Sequence, residues 1–183
     1  MHPLPTEIFC GNQDMRFKLS FAALAATAAF ASPALAQTTA SEPAEARGTV
    51  LLPLTLTEDS NLDFGTVLAS AAAGTVSINA DSGVRSVTLG VTGVAINPGH
   101  RAQFTGYGTP NTQVNLSLTY PAFLVSGPNV VGVTSLNFDS GGATRTLNAA
   151  GTFQVGVGGN FAIAANQPNG LYTGTFTVTA QYP

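Results

Sequence analysis

Residues 171–182 read LYTGTFTVTAQY, and this stretch decides the fold. Apolar or aromatic side chains alternate there with small polar ones. A period of two over this length predicts a β-strand with one buried face. That face would carry Tyr172, Phe176, Val178, Ala180 and Tyr182. We expect such a strand either to close the protein's own sheet or to pair with a partner.

The composition is that of a polar but weakly charged β-protein. Only 8% of the 183 residues are charged, against about 25% in ordinary globular proteins. The 20 glycines and 11 prolines favour short strands joined by turns. The net charge of −3 argues against nucleic-acid binding, because few cations are present to neutralise phosphates.

Residues 15–36 have the pattern of a secretory signal peptide. The basic start MRFK is followed by an Ala-rich apolar run, too short for a permanent membrane span, and by the small-residue ending ALA. We expect translation to start at Met15, with residues 1–14 a non-native leader. After cleavage at Ala36 the chain holds no Cys and no Lys, so we expect an exported domain without disulfides or a lipid anchor. Residues 37–48 are small and polar and predict a flexible N-terminal arm.

A second strand with an apolar face is predicted at residues 49–57. Aliphatic residues there alternate mostly with threonine. Pro53 cannot donate a ladder hydrogen bond, so this strand suits the edge of a sheet. Its apolar face consists of Val50, Leu52, Leu54 and Leu56.

Further short strands follow at intervals of roughly ten residues, with turn residues between them and no helical period. This pattern predicts an all-β fold, an immunoglobulin-like β-sandwich over residues 49–183. Leu89 is expected to face inward together with Val87 and Val91. The other strands are predicted at residues 62–67, 75–79, 86–92, 101–105, 113–120, 130–138, 152–157 and 160–164.

The sequence contains no catalytic or metal-binding constellation, and we expect neither an enzyme nor a cofactor. His100 is the one histidine after the signal peptide, and a lone turn histidine is usually a surface residue. Asp63 is expected to bond backbone amides at a turn. Asp81 and Asp139 are expected to form Asx turns rather than a Ca²⁺ site. Residues 156–159, GVGG, lack the helix and Lys of a phosphate loop and are interpreted as a hairpin turn.

Two segments resemble exported pilins of the bacterial chaperone–usher pathway. They are LDFGTV at residues 62–67 and PNGLYTGTFTVTAQY at residues 168–182. The resemblance is to the archaic pilins, which include the spore-coat-protein-U-like domains. Such pilins often end in a strand with a penultimate Tyr and a Gly fourteen positions from the end, and Tyr182 and Gly170 occupy these positions here.

The pattern as a whole is closest to the bacterial domain of unknown function 4402, over roughly residues 49–183. It includes AANQ at residues 164–167. One departure concerns the archaic pilins, which usually carry a cysteine pair. This chain has no such pair, so the resemblance extends to the strand pattern and not to the disulfide.

The resemblance implies a sandwich that lacks its final strand and assembles by donor-strand complementation. A periplasmic chaperone lends a strand, and at the outer-membrane usher the N-terminal strand of the next subunit replaces it. The donor would be residues 49–57, and the acceptor would be the strand 172–182 with Gly170 before it. The partners would be copies of this chain or related pilins. The product would be a fimbrium at the cell surface, reached through the periplasm.

The main alternative is a fold that is closed within one chain. Only a short turn joins residues 49–57 to LDF at residues 62–64, so the strand 49–57 could fold back and complete its own sandwich. The protein would then be a secreted or periplasmic β-sandwich that binds a carbohydrate or surface partner. Binding would require an exposed aromatic platform, for which the candidates are Tyr107, Tyr120 and Phe123. An enzyme is disfavoured by the missing constellation, and a β-barrel porin by short strands without aromatic girdles.

Overall fold

The computed structural model of the chain describes residues 39–183. This part of the chain is all-β, and its strands pair antiparallel. The predicted leader and signal peptide lie outside the described residues. No helix in the described part is long and apolar enough to cross a membrane. The strands are β1 (Thr55–Ser60), β2 (Val67–Ala69), β3 (Gly74–Ile78), β4 (Arg85–Val87), β5 (Val91–Gly93), β6 (Ala102–Tyr107), β7 (Gln113–Thr119), β8 (Phe123–Ser126), β9 (Asn129–Phe138), β10 (Thr144–Thr146), β11 (Thr152–Ile163) and β12 (Thr177–Gln181).

The larger sheet has seven strands and is curled into a half-barrel. Its centre is the 12-residue strand β11. The first half of β11 pairs with β6 and the second half with β3. Both partners lie along one edge of β11, because β9 pairs from the opposite edge with residues 157–162, which include Val157 paired with β6 and residues 159–162 paired with β3. β1, β4 and β8 extend the sheet beyond β6, β3 and β9.

The GVGG segment at residues 156–159 is the middle of β11, so the predicted hairpin turn is wrong. These glycines are buried. A Cβ on Gly158 would overlap the carbonyl oxygen of Ile78, and one on Gly159 would overlap that of Ser135. Glycine in a strand often marks such a close approach of another backbone. One continuous strand replaces the two that the sequence predicts.

The second sheet has three strands in the order β10-β7-β12. Its apolar side chains pack against those of β11 in what we call the second core cluster. Phe104 and Phe138 of the larger sheet complete the packing. The buried members of the cluster are Val114, Leu116, Leu147, Phe153 and Val155.

The first core cluster joins β3, β9 and β11 of the larger sheet to β5, which forms a two-stranded sheet with β2. Phe64 packs edge-on against Phe161, with ring centroids 4.6 Å apart. Tyr172 and Leu124 are half-buried at its margin. The buried members of the cluster are Val76, Val91, Val131, Phe161 and Ile163.

The prediction of one strand at residues 86–92 is wrong, because the chain changes sheet there. β4 belongs to the larger sheet and β5 to the two-stranded one. Between them Leu89 has a φ of 49° and is 90% exposed rather than inward-facing. Val87 and Val91 do pack in the first core cluster as predicted.

The predicted strand at residues 62–67 is also wrong, because only its last residue, Val67, belongs to a strand. Three other strands agree with the sequence more closely. β3, β7 and β9 lie within a residue of their predicted positions at 75–79, 113–120 and 130–138. β8 and β10 were not predicted. β8 forms a hairpin with β9 through Gly127, which has a φ of 55°.

Candidate functional site

The structure divides the four predicted donor residues between core and solvent. β1 begins only at Thr55. Leu54 and Leu56 are half-buried and pack against the second core cluster. Val50 and Leu52 are 96% and 58% exposed. Only the second half of the predicted donor segment therefore contributes to the core of its own chain.

β1 pairs with β6 of the same chain. Thr55 lies opposite Tyr107 and Ser60 opposite Gln103, with an irregularity at Asp59. A bulge of this kind bends an edge strand locally. β1 therefore continues to Ser60, through residues 58–60, where the sequence predicts a turn.

The two ends of the domain are joined by three hydrogen bonds, which we call the terminal clasp. The Tyr182 hydroxyl donates to the carbonyl oxygen of Leu52 at 2.9 Å. It accepts from the backbone N–H of Thr109 at 2.8 Å. The Leu52 N–H in turn donates to Oγ1 of Thr109 at 2.7 Å. The penultimate tyrosine thus fixes the position of the segment that precedes β1.

The predicted alternation of the C-terminal strand is confirmed, although the strand itself is shorter. Phe176, Val178, Ala180 and Tyr182 are all half-buried, and the threonines between them are exposed. Hydrogen-bonded pairing with β7 covers only Thr177–Gln181. Ala180 and Tyr182 pack in the second core cluster, whereas Phe176 meets the ring of Phe104 at 6.1 Å.

Tyr172 and Gly170 belong to another part of the molecule. Tyr172 packs against the first core cluster. Its hydroxyl donates to the carbonyl oxygen of Pro168 at 2.7 Å and accepts from the Gln167 amide at 2.8 Å. Its neighbour Thr173 bridges to Val125 of β8. The predicted assembly residues therefore lie on two clusters rather than on one continuous strand.

β1 and β12 lie close together but are not paired. β1 is bonded only to β6, and β12 only to β7. No backbone hydrogen bond joins β1 to β12 within residues 39–183. Each strand therefore has an unpaired edge, the feature that allows another strand to be added.

A second feature is a depression of about 350 Å³ on the outer face of β1, β6 and β11, which we call the polar cleft. Side chains of β6 alternate there, with Phe104 inward and Gln103 and Thr105 outward. Gln154 projects from β11 opposite Thr105. The Thr105 hydroxyl donates to Asp59 Oδ2 at 2.7 Å. Polar groups thus form most of the wall of the cleft.

Asp139 fixes one end of the polar cleft. Its Oδ1 accepts from Arg145 and from the N–H of Gly141, and its Oδ2 accepts from the N–H of Gly156 at 2.7 Å. The predicted Asx turn at Asp139 is confirmed by the Gly141 bond. Every oxygen of this carboxylate is occupied within the chain.

Asp81 joins two loops instead of forming the predicted Asx turn. Its Oδ1 accepts from the backbone N–H of Ser140 at 2.7 Å. Backbone and side-chain hydrogen bonds from Ser140 hold the pKa of the Asp81 carboxyl below its usual value; they outweigh the opposing effect of burial, and the charge of Arg101 lowers the pKa slightly further. The Asx turn is formed by Asn79 instead. Its Oδ1 accepts hydrogen bonds from the backbone N–H groups of Asp81 and Ser82.

The remaining polar candidates have local structural contacts. The Asp63 carboxylate accepts from the N–H of Gly65 at 2.7 Å, which confirms its predicted role in a turn. His100 is exposed and forms a backbone bridge with Asp63. Among residues 39–183, no group of three or more His, Cys, Asp and Glu side chains could hold a metal ion.

The three candidate aromatics do not form one platform. Tyr107 is on β6 and Phe123 is on β8, with β11 and β9 between these strands. Strands are spaced about 4.8 Å apart, so the two rings are separated by three such intervals. Tyr107 is 48% exposed on the same face as the polar cleft.

Arg85 is a structural residue that the sequence analysis missed. Its guanidinium donates to the carbonyl oxygens of Thr66, Asn97 and Val94 at 2.9–3.0 Å. It thereby holds together the loops around β2 and β5. The scarcity of cations after residue 36 is the one sequence feature that could have marked it.

Comparison with known proteins identifies the family but not the activity. The model for the domain of unknown function DUF4402 matches residues 54–182. The chain therefore belongs to the DUF4402 family. No curated protein matches the chain, and neither does any solved structure.

Proposed function

We propose that this protein is a structural subunit of a cell-surface fimbria, assembled by donor-strand complementation. The observation that carries the proposal is the position of β1. It is the first strand of the domain and is bonded along one edge only. Leu56 of β1 and Leu54 just before it pack against the second core cluster. A strand with these properties can be exchanged between copies.

The exchange conserves the contacts of β1 and adds others. In the single chain, two of the four donor side chains remain exposed. If Val50 and Leu52 also enter pockets of a neighbour, each full burial contributes about 1.5–3 kcal/mol. This gain opposes the entropy lost on association. A contact of this head-to-tail kind does not close and so produces a filament.

The proposal extends to the fold and the route of the protein. We infer an immunoglobulin-like sandwich of the pilin type, formed by the larger sheet and the three-stranded sheet. The protein would be exported by its signal peptide, held by a periplasmic chaperone, and passed to an outer-membrane usher. Copies of the chain or related pilins would be its permanent partners.

A test can separate the donor role from the stability of the monomer. Val50→Asp and Leu52→Asp alter exposed side chains, so the thermal unfolding of the monomer should not change. Polymer formation should be lost if these residues fill pockets of a neighbour. Polymers would be scored by SDS gel without boiling and by electron microscopy of the exported protein.

Leu89→Asp is the matched control, because Leu89 is 90% exposed and far from β1 in sequence. It should leave polymers intact. Filaments that form unchanged from the Val50→Asp, Leu52→Asp double variant would contradict the donor role. So would a wild-type protein that stays monomeric in the presence of its export and assembly machinery.

A second candidate is a self-contained secreted or periplasmic β-sandwich that binds a carbohydrate or surface partner. The pairing of β1 with β6 of the same chain favours it. In this case wild-type protein stays monomeric, and no variant at Val50 or Leu52 changes its state.

A further inference from the structure

The polar cleft contains two side-chain amides without partners. Gln103 and Gln154 project from neighbouring strands, and in residues 39–183 neither side chain makes a hydrogen bond. The pairing places Gln154 opposite Thr105, two residues from Gln103, so the two side chains are diagonal neighbours about 7–8 Å apart at the backbone. Each amide offers two donors and one acceptor oxygen. Together they can bind several hydroxyl groups of one ligand.

The charges of the polar cleft balance. Asp59, Asp139 and Arg101 line it, and Arg145 neutralises Asp139 by an ion pair. Two carboxylates thus stand against two guanidinium groups. Arg101 Nη1 donates to the carbonyl oxygens of Ala80 and Asp81, and the overall charge balance of the cleft gives an anionic ligand no net attraction.

An apolar surface lies at one end of the same face. Tyr107 is two residues beyond Thr105 on β6, a step of about 6.6–6.8 Å along the strand. It is flanked by Thr55 and Thr152 on the adjacent strands, so its half-exposed ring is not covered by bulky neighbours. An aromatic ring of this kind offers an apolar face to a ligand that is otherwise polar.

We infer that the polar cleft binds an uncharged saccharide. The Gln103 and Gln154 amides and the free Oδ1 of Asp59 would bind its hydroxyl groups, and the Tyr107 ring would contact a C–H face of a sugar unit. The volume of about 350 Å³ lies within the range of about 300–1,000 Å³ typical of small-ligand sites. The inference does not depend on polymer formation, because Gln103, Gln154 and Tyr107 belong to β6 and β11, and only Asp59 belongs to the exchanged strand β1.

The experiment is a titration of the purified protein with defined neutral hexasaccharides: maltohexaose, cellohexaose, mannohexaose and chitohexaose. Binding would be measured by calorimetry, with heparin hexasaccharide as the anionic comparison. We expect at least one neutral hexasaccharide to bind and heparin not to bind. Loss of two or more hydrogen bonds should make the Gln103→Ala, Gln154→Ala double variant bind about tenfold more weakly or worse.

Gln113→Ala is the matched control, since Gln113 is an exposed strand glutamine on the three-stranded sheet. It should bind like wild type, and circular dichroism would verify that each variant is folded. The inference is overturned if none of the four hexasaccharides binds, or if heparin binds more tightly. It is equally overturned if the double variant binds as well as wild type does.

Discussion

The two core clusters differ in how they are completed. The first core cluster is formed by strands from the interior of the chain, with Tyr172 at its margin. The second is completed by both ends of the domain, through Leu54, Leu56, Ala180 and Tyr182. Chain ends open at lower free energy than the strands in the interior of a core. The difference therefore predicts that the second core cluster loses a strand more readily than the first core cluster does.

The largest loss of stability is expected from substitutions at the glycines of β11, because this strand contributes side chains to both core clusters. Gly158→Val should destabilise the protein by about 4 kcal/mol or more, because the side chain would displace β3 from β11. Soluble yield and thermal unfolding would measure the loss. Gly132→Val is the control, since a Cβ at Gly132 of β9 meets no atom within 4 Å. Comparable damage from both variants would contradict the role of the close strand contact.

The comparison of the clusters is sharpened by two matched tyrosines. Tyr182→Phe and Tyr172→Phe each remove two hydrogen bonds of one hydroxyl, and each should cost about 1–3 kcal/mol. Hydrogen exchange should separate them. Tyr182→Phe should accelerate exchange in β1 and β12, whereas Tyr172→Phe should act around β8. Equal acceleration of β1 by both variants would show that the clusters do not open independently.

A smaller effect is expected at the change of sheet between β4 and β5. Leu89 has a φ of 49°, a conformation that costs an ordinary residue about 1–2 kcal/mol and that asparagine tolerates better. Its side chain is exposed, so little packing is lost on substitution. Leu89→Asn should therefore raise the stability by up to about 1 kcal/mol in chemical denaturation. A decrease would mean that Leu89 makes a contact that offsets the strain.

The smallest effect concerns pH. The pKa of Asp81 is lowered in the folded protein by hydrogen bonds from Ser140. Its contribution to stability is thus present above the unfolded pKa of about 3.9 and is lost as the pH falls through the folded pKa. Asp81→Asn should flatten the acid limb of a plot of melting temperature against pH. An unchanged acid limb would show that the Ser140 contact contributes nothing measurable.

The sequence predicts local features of the fold well and long-range ones poorly. The alternation from Phe176 to Tyr182 can be recognised in the sequence because one face of that strand is half-buried and the other is exposed to solvent. The hairpin turn predicted at GVGG is wrong because glycine is equally common in turns and at close contacts between backbones. The inward orientation predicted for Leu89 is wrong because a change of sheet has no local sequence pattern. These errors come from contacts between residues far apart in the sequence.

In the candidate sites too, the local features could be predicted from the sequence and the long-range contacts could not. The apolar face of residues 49–57 was recognisable, but the partner of that strand depends on a register that no local pattern encodes. The polar cleft was not predicted, because its residues come from β1, β6, β11 and the loops at Arg101 and Asp139, and they meet only in the folded protein. Tyr107 was identified as an exposed aromatic, without the amides that lie beside it.

The arginines have a consequence for proteolysis. Arg85, Arg101 and Arg145 are half-buried in or beside strands, whereas Arg47 is exposed, and residues 39–183 contain no lysine. Trypsin needs a basic side chain on an accessible, extended segment, and exposed segments are where nicking concentrates. Arg47 lies on such a segment before β1. Trypsin should therefore cut the folded protein after Arg47 and leave residues 48–183 as one resistant fragment.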